Sequence, residues 1–403
     1  VVQQEARPLR FNRDFNLLWT GAAVSGIGSI VSLTAYPLVV VVAGGSPAAA
    51  GLVAAAVQAP QFLCQLPAGV LADRINRKTI MLICNAARAV LLTSAAVAVA
   101  LDAVSVPILL ALAFLQGVFD VAHGLAETAA IRNVVPAGQL TAAMAANQGR
   151  SSAAAMLGRP AGGMLFELGQ AVPFAADAAS YLFGLVTTAL THGEFQQERS
   201  GTSAASALAD VRAGLHWFWS RPFLRATSLL TSAANFLFQA LPLAVIVLAH
   251  HLGASPGLTG VILLGAPAGG FLGVFLAPAL RRHLSLRQIT VASPCVWTMT
   301  GLLIVLIPHP LVLIAATAIN GVAGTTFNIV VAARNLAMIP DDLLGRVTAA
   351  MRLVGFGAQP LGPLVAGTLL ATLGPIGGTA GLVAGTALIA IAAILSPSLR
   401  ESG

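Results

Sequence analysis

Charge is scarce in this chain. Asp, Glu, Lys and Arg make up 9% of its 403 residues, against about 25% in a soluble domain. Hydrophobic residues make up 57%, and the mean hydropathy is +0.87. That balance belongs to a membrane protein and excludes an ordinary soluble fold. Cysteine is rare too: Cys64, Cys84 and Cys295 fall inside apolar runs with no metal-ligand spacing, so they read as core filler and no metal site is expected. The chain lacks an H-E-x-x-H helix and a G-x-S-x-G turn, and no link on the outer side is long enough to build an active site. No catalytic residue and no cofactor are therefore expected, and no soluble segment is long enough for a nucleotide-binding domain.

Base outweighs acid, with 21 Lys and Arg against 14 Asp and Glu and a net charge of +7. Nucleic acid is excluded as a partner, because the basic residues form no single run or face; they recur in the links between apolar spans. There they anchor the chain against anionic lipid. Arg7, Arg10 and Arg13 precede a first apolar run too long for a cleavable signal peptide.

A membrane helix needs about 20 apolar residues. The runs 15–43, 48–72, 78–101, 106–131, 140–168, 171–192, 223–250, 256–280, 287–307, 310–335, 344–372 and 376–396 meet that need and make twelve spans. Numbering the links alternately, 17 of the 21 Lys and Arg fall on one side, the other four (Arg88, Arg150, Arg159, Arg352) lie within spans, and the opposite links hold none. By the positive-inside rule both termini are cytoplasmic.

The chain also repeats. Ala35-Tyr36-Pro37-Leu38 returns as Ala240-Leu241-Pro242-Leu243, and Thr141-Ala142-Ala143-Met144 as Thr348-Ala349-Ala350-Met351. An all-α membrane protein is expected, with two pseudo-symmetric six-helix halves: 1–192, a cytoplasmic linker 193–222, and 223–403. Within the linker, Ala209 to Trp219 patterns as a helix lying in the membrane interface.

The link Gly69-Val70-Leu71-Ala72-Asp73-Arg74-Ile75-Asn76-Arg77-Lys78 is a charged turn between two apolar spans. Its spacing resembles the loop between helices 2 and 3 of the major facilitator superfamily of transporters. Asn76 stands where that family has Gly, and Asn also tolerates a left-handed backbone. Arg74, Arg77 and Lys78 are expected to face the cytoplasm. Asp177-Ala178-Ala179-Ser180-Tyr181 and the run Trp217 to Arg225 resemble the drug:proton antiporter branch that includes macrolide and enterobactin exporters. The resemblance implies export of an amphipathic or lipophilic small molecule (an antibiotic, a siderophore or a similar metabolite) in exchange for protons, by one chain in the inner membrane. Uptake of a metabolite, or a receptor without transport, are the alternatives. Three positions depart from the family: Ala113 replaces an arginine before Gln116-Gly117, Ser29 an aspartate, and helix 5 reads Gly158-Arg159-Pro160-Ala161-Gly162-Gly163.

Ionisable groups within spans are functional candidates by default, because each is costly in hydrocarbon. Asp120, His123 and Glu127 share one face of helix 4 and form a stripe that can hold or pass a proton. The alternative is static pairing, with Arg88 neutralising Glu127 or Asp120, Arg150 serving likewise, and Arg159 meeting Asp177 or Glu167. The second half is poor in embedded carboxylates. Gln116, Asn235, Phe236, Gln239, Asn320, Phe327, Asn328 and Gln359 are its expected cargo-facing residues, with Gln116 from the first half. Gln58, Gln61 and Gln65 either line the cavity or hydrogen-bond between helices. Gly158, Gly162 and Gly163 read as a packing surface.

Overall fold

The computed structural model describes residues 9–192, 195, 214–340 and 343–399. Arg7, Arg199, Arg212 and most of the 193–222 linker lie outside the described residues, including the first part of the expected interface helix; residues 214–219 are helical. The helices are α1 (Arg13–Val42), α2 (Pro47–Leu63), α3 (Gln65–Arg74), α4 (Arg77–Ala100), α5 (Val106–Val134), α6 (Leu140–Leu168) and α7 (Val172–Ala189). There follow α8 (Pro222–His251), α9 (Pro256–His283), α10 (Leu286–Leu306), α11 (Pro310–Ala337), α12 (Leu344–Gly357) and α13 (Leu361–Leu395).

Nine helical stretches among the described residues are long and apolar enough to cross a bilayer. α2 is shorter, and α6, which carries Arg150, Arg159 and Glu167, is not among the nine. Two expected spans are interrupted, each at proline. Pro67 has no N–H to give the Leu63 carbonyl, and the 48–72 run breaks at Cys64. The 344–372 run breaks before Leu361, where Pro360 caps α13. Gly374, at φ +75°, divides α13 ahead of Pro375, in a backbone region that glycine enters without penalty. Taken as interrupted and divided spans, these make up the twelve expected crossings.

The charged link differs from the expected turn. Helix α3 continues through Arg74, leaving Ile75 and Asn76 as the connection. Asn76 is not left-handed: its φ is −55° and ψ 122°, and its side chain accepts the Lys78 N–H as the N-cap of α4. A short polar side chain that can cap a helix start does not need the freedom of glycine. The side chains of Asp73 and Arg74 lie outside the description. Arg77 does not face solvent; it is 5% exposed and donates to the carbonyls of Ala129 and Phe195 at 3.4 and 3.1 Å. Lys78 donates to Ala189 O and Thr191 O at 3.1 and 2.6 Å. Both cations thus sit on carbonyls at or near the C-terminal ends of α5 and α7, where the helix dipole favours positive charge.

The chain forms two compact units. The first holds the residues up to Val39 and those from Ala56 through α7. Here α4 packs against α5 and α7, and Ile80, Met81, Cys84, Val121 and Ala126 form the apolar core. Glycines bring α1 close to its neighbours. A Cβ on Gly158 of α6 would lie 2.9 Å from the Ile27 carbonyl, and one on Gly162 3.1 Å from that of Val31.

The second unit holds Val40–Ala55 and α8–α13. Gly51 of α2 faces the Pro363 carbonyl and the Gly367 Cα, so the start of α2 packs here. Helices α9 and α11 meet backbone to backbone: Gly269 faces the Ala318 backbone, and Gly321 faces that of Ala266. Membrane helices associate through such backbone contacts because lipid supplies no hydrophobic drive between them. Gly269→Val, which drives a branched side chain into the Ala318 carbonyl, is expected to destabilise by about 1–3 kcal/mol. Thermal unfolding in detergent reads the effect. Gly124→Ala, where nothing lies within 4 Å, serves as the control and should not lower the midpoint.

Candidate functional site

The polar groups of the first unit gather where α1, α4, α5 and α7 meet. Arg88 of α4 is 3% exposed, and its Nη2 lies 2.8 Å from Asp120 Oδ1. The guanidinium sits 3.9 Å above the Tyr181 ring and donates to Ser29 Oγ at 3.3 Å. Ser29 gives its own proton to the Ser25 carbonyl at 2.7 Å, so at the 2.6 Å contact with Tyr181 the phenol is the donor. Asp120 is the open end of the cluster, with its side chain 47% exposed, and its second oxygen accepts from Gln61 at 3.2 Å.

Asp177 lies deeper, at 0% exposure. Ser32 donates to its Oδ2 at 2.6 Å and Ser180 to its Oδ1 at 3.0 Å. Gly28 provides the room, since a Cβ there would overlap Asp177 and Ser180. A second ion pair lies further along α5, where Glu127 Oε1 meets Arg150 Nη1 at 2.6 Å and His123 Nδ1 stands 3.9 Å from Glu127 Oε2. Both partners of that pair are largely buried.

The α5 stripe is therefore divided between two cations. Arg88 takes Asp120 and Arg150 takes Glu127. The expected pairing of Arg159 with Asp177 does not occur, because Asp177 turns towards α1 and is held by hydroxyls. Gln116 is buried and accepts from the Tyr36 hydroxyl at 2.9 Å. Gln61 of the helix-2 stripe bonds between helices. Sequence reasoning missed Ser29, Ser32 and Tyr181. Ser29 was visible only as a missing aspartate, and Tyr181 only as part of a family motif.

In the second unit the expected cargo residues differ in their partners and exposure. Asn235 donates to the Gly355 carbonyl at 2.9 Å, Phe327 is buried against Trp297 with centroids 5.8 Å apart, and Asn328 is exposed. Phe236, Gln239 and Gln359 are partly buried. Asn320 accepts from Thr300 at 2.6 Å and lines a cavity of about 60 Å³ with Phe238, Trp297, Gly301, Thr379 and Val383. A drug-sized ligand needs about 300 Å³ or more, so this cavity takes a fragment at most.

The sequence pattern of a family described as "Transmembrane secretion effector" matches residues 5–401. The chain is similar to the multidrug efflux pump Tap of Mycolicibacterium fortuitum, 27% identical over 402 residues that cover 96% of each chain. It is 24% identical to the multidrug efflux pump Tap of Mycobacterium bovis over 408 residues, covering 96% of this chain and 94% of that one. Among solved structures, a bacterial homologue of the human lysosomal transporter Spinster, inward-facing and unoccupied, superposes with a TM-score of 0.76 at 16% identity over 98% of each chain. The nucleoside transporter NupG superposes with a TM-score of 0.73 at 14% identity, covering 97% of this chain and 100% of that one. At these identities the two structures speak for the fold, which is that of the major facilitator transporters.

Proposed function

This chain belongs to the transmembrane secretion effector family of the major facilitator superfamily, a secondary transporter and not an enzyme, and we propose that it exports amphipathic small molecules in exchange for protons. The names of its mycobacterial relatives support efflux of more than one compound. The observation that carries the proton reading is Asp120: an acid inside a span, half open to its surroundings, whose partner is the buried Arg88. A proton on Asp120 cancels the charge that holds Arg88, and the guanidinium is then held by Ser29 and Tyr181 alone. Cargo and proton exchange by alternating access, with Asp120 cycling between paired and protonated states. Glu127, with His123 and Arg150, forms a second station along α5. The protein works as a single chain in the inner membrane of a bacterial cell, with both termini cytoplasmic.

The test uses purified protein in proteoliposomes loaded with a macrolide, a tetracycline or a catecholate siderophore. An imposed pH gradient is expected to drive movement of at least one of these, and a protonophore to stop it. Flux that ignores the gradient removes proton exchange, and no flux of any compound removes export.

A further inference from the structure

Four arginines stand inside the apolar spans, and of the three that are not exposed one lacks a counter-charge among the described residues. Arg88 and Arg150 each hold a carboxylate, at 2.8 and 2.6 Å, and Arg352 is exposed. Among the described residues no side chain or carbonyl bonds to the Arg159 guanidinium, and its Nε is sealed from solvent without an acceptor. Arg159 lies nine residues from the nearer end of α6, or about 14 Å at 1.5 Å per residue. That distance is too great for the side chain to reach the helix end. Arg159 as a whole is partly buried, and a cation within a span that lacks a counter-charge is a functional candidate because hydrocarbon makes it costly.

The surroundings of Arg159 on α6 give its direction. Gly158 and Gly162 press against the α1 backbone, which fixes the rotation of the helix. The large apolar residues Leu157, Met164 and Leu168 are exposed along one face. Arg159 falls on the opposite face, in line with Thr141, Gln148 and Ser152 at spacings of seven, four and seven residues. Thr141 and Gln148 are exposed and Ser152 partly so. A polar track therefore leads along α6 to an unpaired guanidinium.

We propose that Arg159 is an anion-binding residue at the deep end of this track, taking the carboxylate or phosphate of an amphipathic ligand. The planar guanidinium fits either group with two parallel hydrogen bonds. The ligand is either an acidic cargo molecule or an anionic lipid. The transport reading is needed only to call the ligand cargo, so binding is measured without a gradient and the two can fail separately.

The full-length protein is placed in phosphatidylcholine nanodiscs with dansylundecanoic acid or its methyl ester, and energy transfer from tryptophan reads binding. The acid is expected to bind about tenfold more tightly than the ester. Arg159→Gln should bring the two within about twofold, with the ester unchanged, and Arg159→Lys should keep part of the preference. In the unaltered protein, octyl phosphate should displace the acid and octyl glucoside should not. If phosphatidylglycerol in the disc weakens acid binding to the unaltered protein but not to Arg159→Gln, the anion is a lipid's; if it does not, the anion is cargo's. Equal binding of acid and ester to the unaltered protein overturns the proposal. So does an equal loss of both in Arg159→Gln, which would mark a structural residue.

Discussion

Asp120→Asn is expected to destabilise the protein more than Arg88→Met does, although both break the same ion pair. The asymmetry follows from burial. Removing Arg88 leaves Asp120, whose side chain is 47% exposed, free to hydrate and still bonded to Gln61. Removing the Asp120 charge leaves the guanidinium of Arg88 enclosed, with the neutral Asn and Ser29 oxygens and the Tyr181 ring against it. An uncompensated buried charge costs about 3–5 kcal/mol, and the Tyr181 contact returns about 1–2 kcal/mol. A net loss of about 2–3 kcal/mol follows for Asp120→Asn, against about 1 kcal/mol for Arg88→Met, where the methionine keeps the packing of the stem. Thermal unfolding of the purified variants ranks them. The double variant Arg88→Met/Asp120→Asn should recover most of the stability, because the guanidinium and the carboxylate that faced it are then both gone. Gradient-driven efflux should stay lost by about tenfold or more in all three. Transport by the double variant would show that the pair only braces α4 against α5.

The second large effect lies at Glu127. Glu127→Gln leaves Arg150 without its 2.6 Å partner in a site where both side chains are largely buried. A stability loss of about 3 kcal/mol is expected, together with loss of gradient-driven transport. The exchange Glu127→Arg/Arg150→Glu separates brace from proton station. The pair is restored across α5 and α6, and most of the stability should return. The carboxylate, however, moves to α6 and away from His123, which stands 3.9 Å from Glu127 in the native arrangement. Transport should therefore not return with stability. If it does, Glu127 and Arg150 form a strut and His123 has no part in coupling.

Much of the architecture was legible because the signals that carry it are local. Apolar length, proline positions and the alternation of arginines report spans wherever they occur in the chain. The break ahead of α13 and the division at Gly374 fall where proline and glycine stand. The charged link was less legible. Asn76 was read as a stand-in for glycine, yet its side-chain oxygen made it a helix cap and no left-handed residue was needed. Arg77 reads as a solvent-facing cation in any linear account. It is buried because the ends of α5 and the segment after α7 offer it carbonyls, and those are distant in sequence. The stripe of Asp120, His123 and Glu127 was visible from helical spacing alone, but its partners were not.

Composition, the spacing of apolar runs and the placement of basic residues decided by themselves that this is a polytopic helical membrane protein, because the bilayer imposes length, polarity and charge sidedness on every span independently. Which cation meets which acid was decided only by the tertiary structure. Gly28, Gly158 and Gly162 set how closely α7 and α6 approach α1, and Asp177 meets Ser32 there; α4 against α5 gives Asp120 to Arg88, and among the described residues Arg159 meets no acid. Helix rotation and spacing are products of packing between distant segments, and no local pattern encodes them.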